Sequence, residues 1–317
     1  MKLILAAGLA LGMTNASAFA QTESYEIMAP AAPGGGYDQT ARAMQTVMQE
    51  TGIASDVQVI NVPGAGGAIG LAQFAQNRAG DPTGLFVGGY VLVGALLTNN
   101  SPVTLDDVTP IARLTGESVA IVVPAASPYQ TIDDLAAAMK ADPGSVAIAG
   151  GSAGGADHIA VGLFAQAAEV DPTQINYVAF SGGGEALAAI LGNQVAAGAS
   201  GFGEFESQIE AGTMRLLAVT GENRIEGVDA PTLSEAGYDV VLENWRMVAA
   251  GPDLDEAEVT QISADIDAMV QSAEWQETLT RNNWANTYIA GEEFQTTLQQ
   301  NIEDTRAILT TIGLVKQ

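Results

Sequence analysis

Four short stretches hold residue types whose spacing bears on chemistry. They are "PAAPGGGYDQT" (30–40), "VPGAGGAIG" (62–70), "AGGSAGGADH" (149–158) and "AFSGGGEAL" (179–187). In each, glycines follow a strand-like run and lead into a helix-like one. Glycine lets a backbone approach a ligand closely and take positive φ. The first N–H groups of the following helix have no internal partner. A loop of this kind is a cradle for an anion that needs neither lysine nor arginine.

The nucleotide-binding variants of the motif fail in detail. "GAGGAIG" supplies Gly64, Gly66 and Gly70, but Ile69 stands where a dinucleotide fingerprint needs its third glycine. No glycine loop ends in Gly-Lys-Ser or Gly-Lys-Thr, so there is no P-loop. Gly150-Gly151-Ser152-Ala153-Gly154 satisfies the nucleophile-elbow pattern G-x-S-x-G. Its triad would need a histidine late in the chain, and the sole histidine, His158, follows six residues later. His158 therefore reads as a helix-face residue near the loop. One histidine and no cysteine leave no metal-ligand spacing. The chain is expected to be no enzyme and to need no cofactor or metal.

Several side chains flank the loops. Asp38 has three open roles: stabilising the helix start, pairing with Arg42 four residues on, or meeting a donor on a ligand. Ser152 and Ser181 sit at loop mouths, where a hydroxyl caps a helix or touches a carboxylate. Tyr37, Tyr90, Phe180 and Phe202 lie next to glycines, as covers for a small ligand or as core. Trp245 reads as packing, and Arg246 beside it stays open.

The elements that must position these loops alternate. "YEIMAP", "DVQVINVP" and "GLFVGG" read as strands, with helical periodicity in "DQTARAMQTVMQE" and "GAGGAIGLAQFAQNR". A second unit repeats the grammar. "ESVAIVVPAAS", "SVAIAG", "INYVAF", "VAAGASG" and "MRLLAVTG" are its strands, and "TIDDLAAAMKADPG" is a helix with Thr131 as N-cap and Asp134 at the capping-box position. "NWRMVAAGP" reads as a strand returning toward the first unit, and helical stretches close the chain. This is an α/β pattern with mainly parallel sheets, whose ligand loops lie at the carboxyl ends of strands.

Together, "PAAPGGGYDQTARAM" (30–44), "VINVPGAGGAIG" (59–70), "SVAIAGGSAGGADHIAVGLF" (145–164), "YVAFSGGGEALAAILGNQVAAG" (177–198) and "MRLLAVTGENR" (214–224) resemble the Bug-type solute-binding proteins of tripartite tricarboxylate transporters. The resemblance runs through nearly all of the chain after residue 20. It implies a two-domain periplasmic binding protein of the type II-like kind, its ligand cleft between the domains. The expected division is 21–120 with about 241–317 as domain 1, and about 121–240 as domain 2. It implies a receptor that closes on a small di- or tricarboxylate and delivers it to a large and a small membrane permease subunit. A signalling receptor for an organic acid is the alternative, with a hydrolase behind it. Carried over to this numbering, Pro33, Gly34, Gly35, Gly36, Tyr37 and Asp38 would grip the ligand from one side. Ser152, Ala153, Gly154, Ser181, Gly182 and Gly183 would grip it from the other. Gly66, His158 and Phe202 complete the expected site. The family often has Pro-Pro before its first glycines; here Ala32-Pro33 stands instead, and Phe180-Ser181 occupies a place that often holds lysine. Citrate is therefore not implied.

Residues 1–20, "MKLILAAGLALGMTNASAFA", carry a basic start, a short apolar run and small residues at 18 and 20, the pattern of a signal peptide cleaved before Gln21. Export to the periplasm is expected, without a lipid anchor because no cysteine follows, and as a monomer. The net charge is −26, and Lys2, Lys140 and Lys316 are the only lysines. Such a chain does not neutralise phosphate backbones, which excludes nucleic acid as partner. Its acids repel one another, and salt screens that repulsion. Unfolding midpoints are expected to rise from low to high NaCl; a flat curve would contradict the charge reading.

Overall fold

The computed structural model describes residues 22–316, so the leader expected at 1–20 lies outside the described residues. The chain opens with β1 (Thr22–Ala29), α1 (Gly36–Glu50), β2 (Ala54–Asn61), α2 (Ala68–Asn77), β3 (Gly84–Gly89), α3 (Tyr90–Thr98) and β4 (Thr109–Gly116). It continues through β5 (Val119–Pro124), α4 (Ile132–Ala141), β6 (Ala147–Gly150), α5 (Ala156–Ala167), β7 (Asn176–Ala179), α6 (Gly183–Leu191), β8 (Ala197–Gly201), α7 (Phe202–Glu210) and β9 (Met214–Val219). It closes with β10 (Arg246–Ala250), α8 (Glu256–Gln271), α9 (Ala273–Arg281), β11 (Ala285–Ala290) and α10 (Gly291–Thr311).

The strands form two sheets, ordered β11-β4-β10-β3-β1-β2 and β7-β6-β8-β5-β9. The first takes strands from both ends of the chain and the second from its middle. The sheets are mixed rather than mainly parallel. β1 pairs in parallel with β2 and β3, and β6 with β7 and β8, each linked through a crossover helix. β10 runs against β3 and β4, β11 against β4, and β5 against β8 and β9. The physical reason is connectivity. β5 enters its sheet directly from the other lobe, and β10 returns the same way, so neither has a crossover helix to turn it parallel. β4 and β11 have no counterpart among the strands expected from sequence.

Helical periodicity locates the packing faces. In α1 the buried positions include Ala41, Met44, Val47 and Met48, one stripe against the first sheet. The capping box expected on α4 is present: Thr131 Oγ1 accepts from Asp134 N at 3.2 Å, and Asp134 Oδ2 accepts from Thr131 N at 3.0 Å. Phe74, Phe86, Phe164, Phe294 and Trp275 are fully buried, each such side chain contributing about 1.5–3 kcal/mol.

Two crossings join the lobes, one at residues 117–118 and one between β9 and β10. They are stitched to each other. Thr220 Oγ1 accepts from Val119 N at 3.0 Å and donates to Leu242 O at 2.7 Å, while Asn244 N donates to Glu117 O at 2.8 Å. The lobes also meet across α3, whose Gly94 lies against the Gly154 carbonyl of the opposite lobe; a Cβ on Gly94 would collide with that oxygen. Gly94 is helical, so alanine suits its backbone and favours α3 by about 1 kcal/mol. Gly94→Ala should therefore keep both lobes folded but hold them apart. Solution X-ray scattering should give a larger radius of gyration than the parent chain; superimposable profiles would contradict the close contact.

Candidate functional site

Five helices that open between the lobes start on glycine. α1, α2, α5, α6 and α7 are preceded by Gly35, Gly67, Gly155, Gly182 and Gly201, with no side-chain cap. α4, α8 and α9 are capped by the side chains of Thr131, Asp255 and Ser272. The glycine-led ends surround a cleft of about 280 Å³. Of the expected site residues, Pro33, Gly34, Gly35, Gly36, Tyr37, Gly66, Ser152, Ser181, Gly182 and Gly183 line it. Ala153 lines an outer compartment of about 350 Å³ that shares Pro30, Gly66, Ser152, Ser181 and Glu185 with the inner one.

Asp38, Gly154, His158 and Phe202 line neither compartment. Phe202 is 2% exposed and packs with Phe205 and Ile190 in a core of the second lobe. Gly154 is the lobe contact described above, and its N–H donates to His158 Nδ1 at 3.3 Å. The His158 ring stacks on Tyr177 with centroids 3.9 Å apart. Burial lowers its pKa to about 4, so it is neutral near pH 7. Among the described residues no hydrogen bond joins it to Ser152.

Asp38 takes the second of its three sequence-level roles and adds another. Oδ2 accepts from Arg42 Nε at 2.9 Å and from Gly34 N at 2.8 Å, and Oδ1 accepts from Asn61 Nδ2 at 2.8 Å. Burial works against its charge, but these donors outweigh it and hold the pKa below the usual value. The carboxylate is a brace for the first glycine loop. The same device recurs in the first turn of the other helices. Asp157 Oδ2 accepts from Gly151 N at 2.8 Å, and Glu185 Oε2 from Ser181 N at 3.1 Å. Glu204 is hydrogen-bonded by Ser200 Oγ and by the Gly36 backbone of the opposite lobe.

Sequence reasoning missed Asp157, Glu185, Glu204, Ser200 and Asn244, all of which line the cleft, and left Arg246 undecided. A signal for the acids was present, because each lies two or three residues past the glycine that starts its helix. Arg246 is 5% exposed. Nη1 donates to Asn244 O at 3.1 Å, Nη2 lies 3.5 Å from Glu117 Oε2, and the guanidinium sits 5.3 Å from the Tyr37 ring centre. Tyr37 Oη accepts from Leu92 N at 2.8 Å, tying α1 to α3. Trp245 is core, with Arg113 over its ring at 5.7 Å.

The family model described as "Tripartite tricarboxylate transporter family receptor" matches residues 40–314. The chain belongs to that receptor family. Over 281 residues it is 27% identical to protein BugT of Bordetella pertussis, covering 86% of this chain and 85% of BugT. Its fold matches MatC from Rhodopseudomonas palustris with bound malate at a TM-score of 0.80, with 22% identity over 90% of this chain and 99% of that one. It also matches an R. palustris protein with adipate at 0.82, with 20% identity over 92% and 98%. At these identities the two solved structures speak for the fold: two α/β lobes around a cleft.

The charges at this receptor's junction are unusual in being buried. Burial raises Glu117 to about 7, offset in part by Arg246. Burial, with Glu204 nearby, raises Asp157 to about 7. Both values lie above the ordinary 4.5 and 3.8. The fold therefore binds protons that the unfolded chain has released. That stabilisation is complete below the ordinary values and is lost as pH rises through about 7. Asp38, shifted the other way, contributes stability that is complete above its ordinary 3.8 and is lost only as pH falls below it, outside this window. The melting temperature should fall between about pH 5 and about pH 8, and Asp157→Asn should make the fall shallower. An unchanged slope in the variant would show that Asp157 does not titrate in this window.

Proposed function

We propose that this chain is an extracytoplasmic solute receptor that closes on a small carboxylate and carries no catalytic activity. The observation that carries the reading is convergence. Uncapped, glycine-led helix N-termini from both lobes face one cleft, which suits an anionic group held by backbone N–H donors. Ser152, Gly182 and Gly183 of the second lobe offer the donors, while Gly34, Gly35 and Gly36 form the facing wall, their N–H groups already engaged by Asp38, the Ala32 carbonyl and Glu204. Family membership supports a transport role, and the malate and adipate bound by two structural neighbours support the ligand class. The partners in this reading are the large and small membrane subunits of a tripartite permease, reached in the periplasm after export through residues 1–20.

Closure follows from ligand bridging. A molecule that touches both lobes favours the closed state by its differential affinity for it. Binding raises folded-state stability by about 2.7 kcal/mol at a concentration of about 100 Kd. A thermal-shift panel of small carboxylates, followed by calorimetry and product analysis, should find a member that binds and is recovered intact. Gly182 offers a clean variant. Its backbone is extended (φ 171°), and an added Cβ meets nothing within 4 Å. Gly182→Val should leave the melting temperature of the free protein unchanged and reduce ligand affinity by at least about tenfold, a loss of about 1.4 kcal/mol. If the parent binds no carboxylate, or if the ligand is consumed, the receptor reading fails.

A further inference from the structure

The acids of the cleft do not match a ligand that is only an anion. Of the residues lining its two compartments, Arg246 is the one cation, against Asp157, Glu185 and Glu204. Arg246 is already engaged by Asn244, Glu117 and the Tyr37 ring. Several loop amides are likewise taken by the protein's own carboxylates: Gly34 by Asp38, Gly36 by Glu204, Gly151 by Asp157 and Ser181 by Glu185. Asp157 is 7% exposed and lines the inner compartment. Its Oδ2 is held by Gly151, while among the described residues its Oδ1 meets no protein donor. Glu204 also opens on the inner compartment, where its carboxylate lies so close to Gly183 that a Cβ there would collide with it. The Oδ1 of Asp157 thus opens on the cleft as an acceptor for a donor on a ligand.

We propose that the ligand carries a protonated nitrogen as well as its carboxylate, and that Asp157 and Glu204 face that nitrogen. This rests on the receptor reading above. The carboxylate end lies on the free amides of α6 and the outer loops, and the ammonium end points to the floor, where the second lobe's acids outnumber Arg246. The substrate class is an amino-bearing carboxylic acid. An amine-free dicarboxylate would set a second negative group against Asp157 and Glu204, a like-charge contact that disfavours binding.

The test is calorimetry at neutral pH with two matched series. One is succinate, aspartate, γ-aminobutyrate and putrescine; the other is adipate, α-aminoadipate, ε-aminocaproate and hexamethylenediamine. In at least one series an amino acid should bind tighter than its amine-free dicarboxylate by about tenfold or more. Glu204→Gln, whose amide oxygen still accepts from Ser200 and Gly36, should bring that ratio close to one. If this variant melts early, Asp157→Asn, which keeps an acceptor for Gly151, gives the same readout. A dicarboxylate that binds as tightly as its amino counterparts overturns the proposal and leaves the receptor reading standing, with the acids then protonated and donating to the ligand. A ratio unchanged in both variants overturns the assignment to these two acids. Binding by the diamines alone, or by no member, overturns the proposal and the carboxylate reading together.

Discussion

The cleft depends on one repeated interaction, the reach of a first-turn carboxylate back onto the glycine loop that precedes its helix. Glycine loops are permissive, and ordering them costs more conformational entropy than ordering other residues. Asp38, Asp157 and Glu185 each close a short ring by accepting from a backbone N–H four or six residues earlier. Glu204 does the corresponding work with Ser200 and reaches across to Gly36. The acids also suit the positive ends of their helices. The loops are thus shaped before any ligand arrives, which lowers the ordering cost of binding.

That solution carries an electrostatic consequence. Each brace places a negative group near a site whose loop amides would otherwise favour an anion. Asp38 is paired with Arg42 and does not line the cleft, and it braces the first glycine loop. Asp157 and Glu204 are buried at the cleft, where burial raises both pKa values. In a chain of net charge −26 the distant field adds to this. In the proposed reading, selectivity rests on the balance between amides left free at the helix ends and acids at the floor, with Arg246 as the local counterweight.

The junction between the lobes links the cleft to the two chain crossings. Glu117 lies in the first crossing, accepts from Gly203 N at 3.0 Å at the start of α7, and faces Arg246 at the start of β10. The backbone of Glu117 accepts from Asn244, whose carbonyl accepts from Arg246. A ligand that shifts Arg246 therefore acts on the same residues that stitch the two crossings. Tyr37, under the guanidinium and bonded to the α3 backbone, extends the connection to the contact of Gly94 with Gly154.

Local pattern made the α/β alternation, the four glycine loops, the Thr131 cap and the Asp38–Arg42 pair legible in sequence, because each is set within one strand–loop–helix unit. β4 and β11 were not legible. "TPIARLTG" is interrupted by Pro110 and Arg113, and "ANTYIA" is partly exposed; both are strands because β10 and each other supply their hydrogen bonds. Sheet direction was hidden for the same reason, since it follows from where the chain crosses between lobes. Phe202 and His158 looked like site residues beside their glycines, but their orientation is set by the second lobe's core and by Tyr177. By itself the sequence determined the receptor family and the anion-cradle grammar, which reside in contiguous motifs. Only the tertiary structure decided that Asp157, Glu204, Glu117 and Arg246 share one junction, because they lie on segments separated by up to 129 positions and meet where the two sheets are joined.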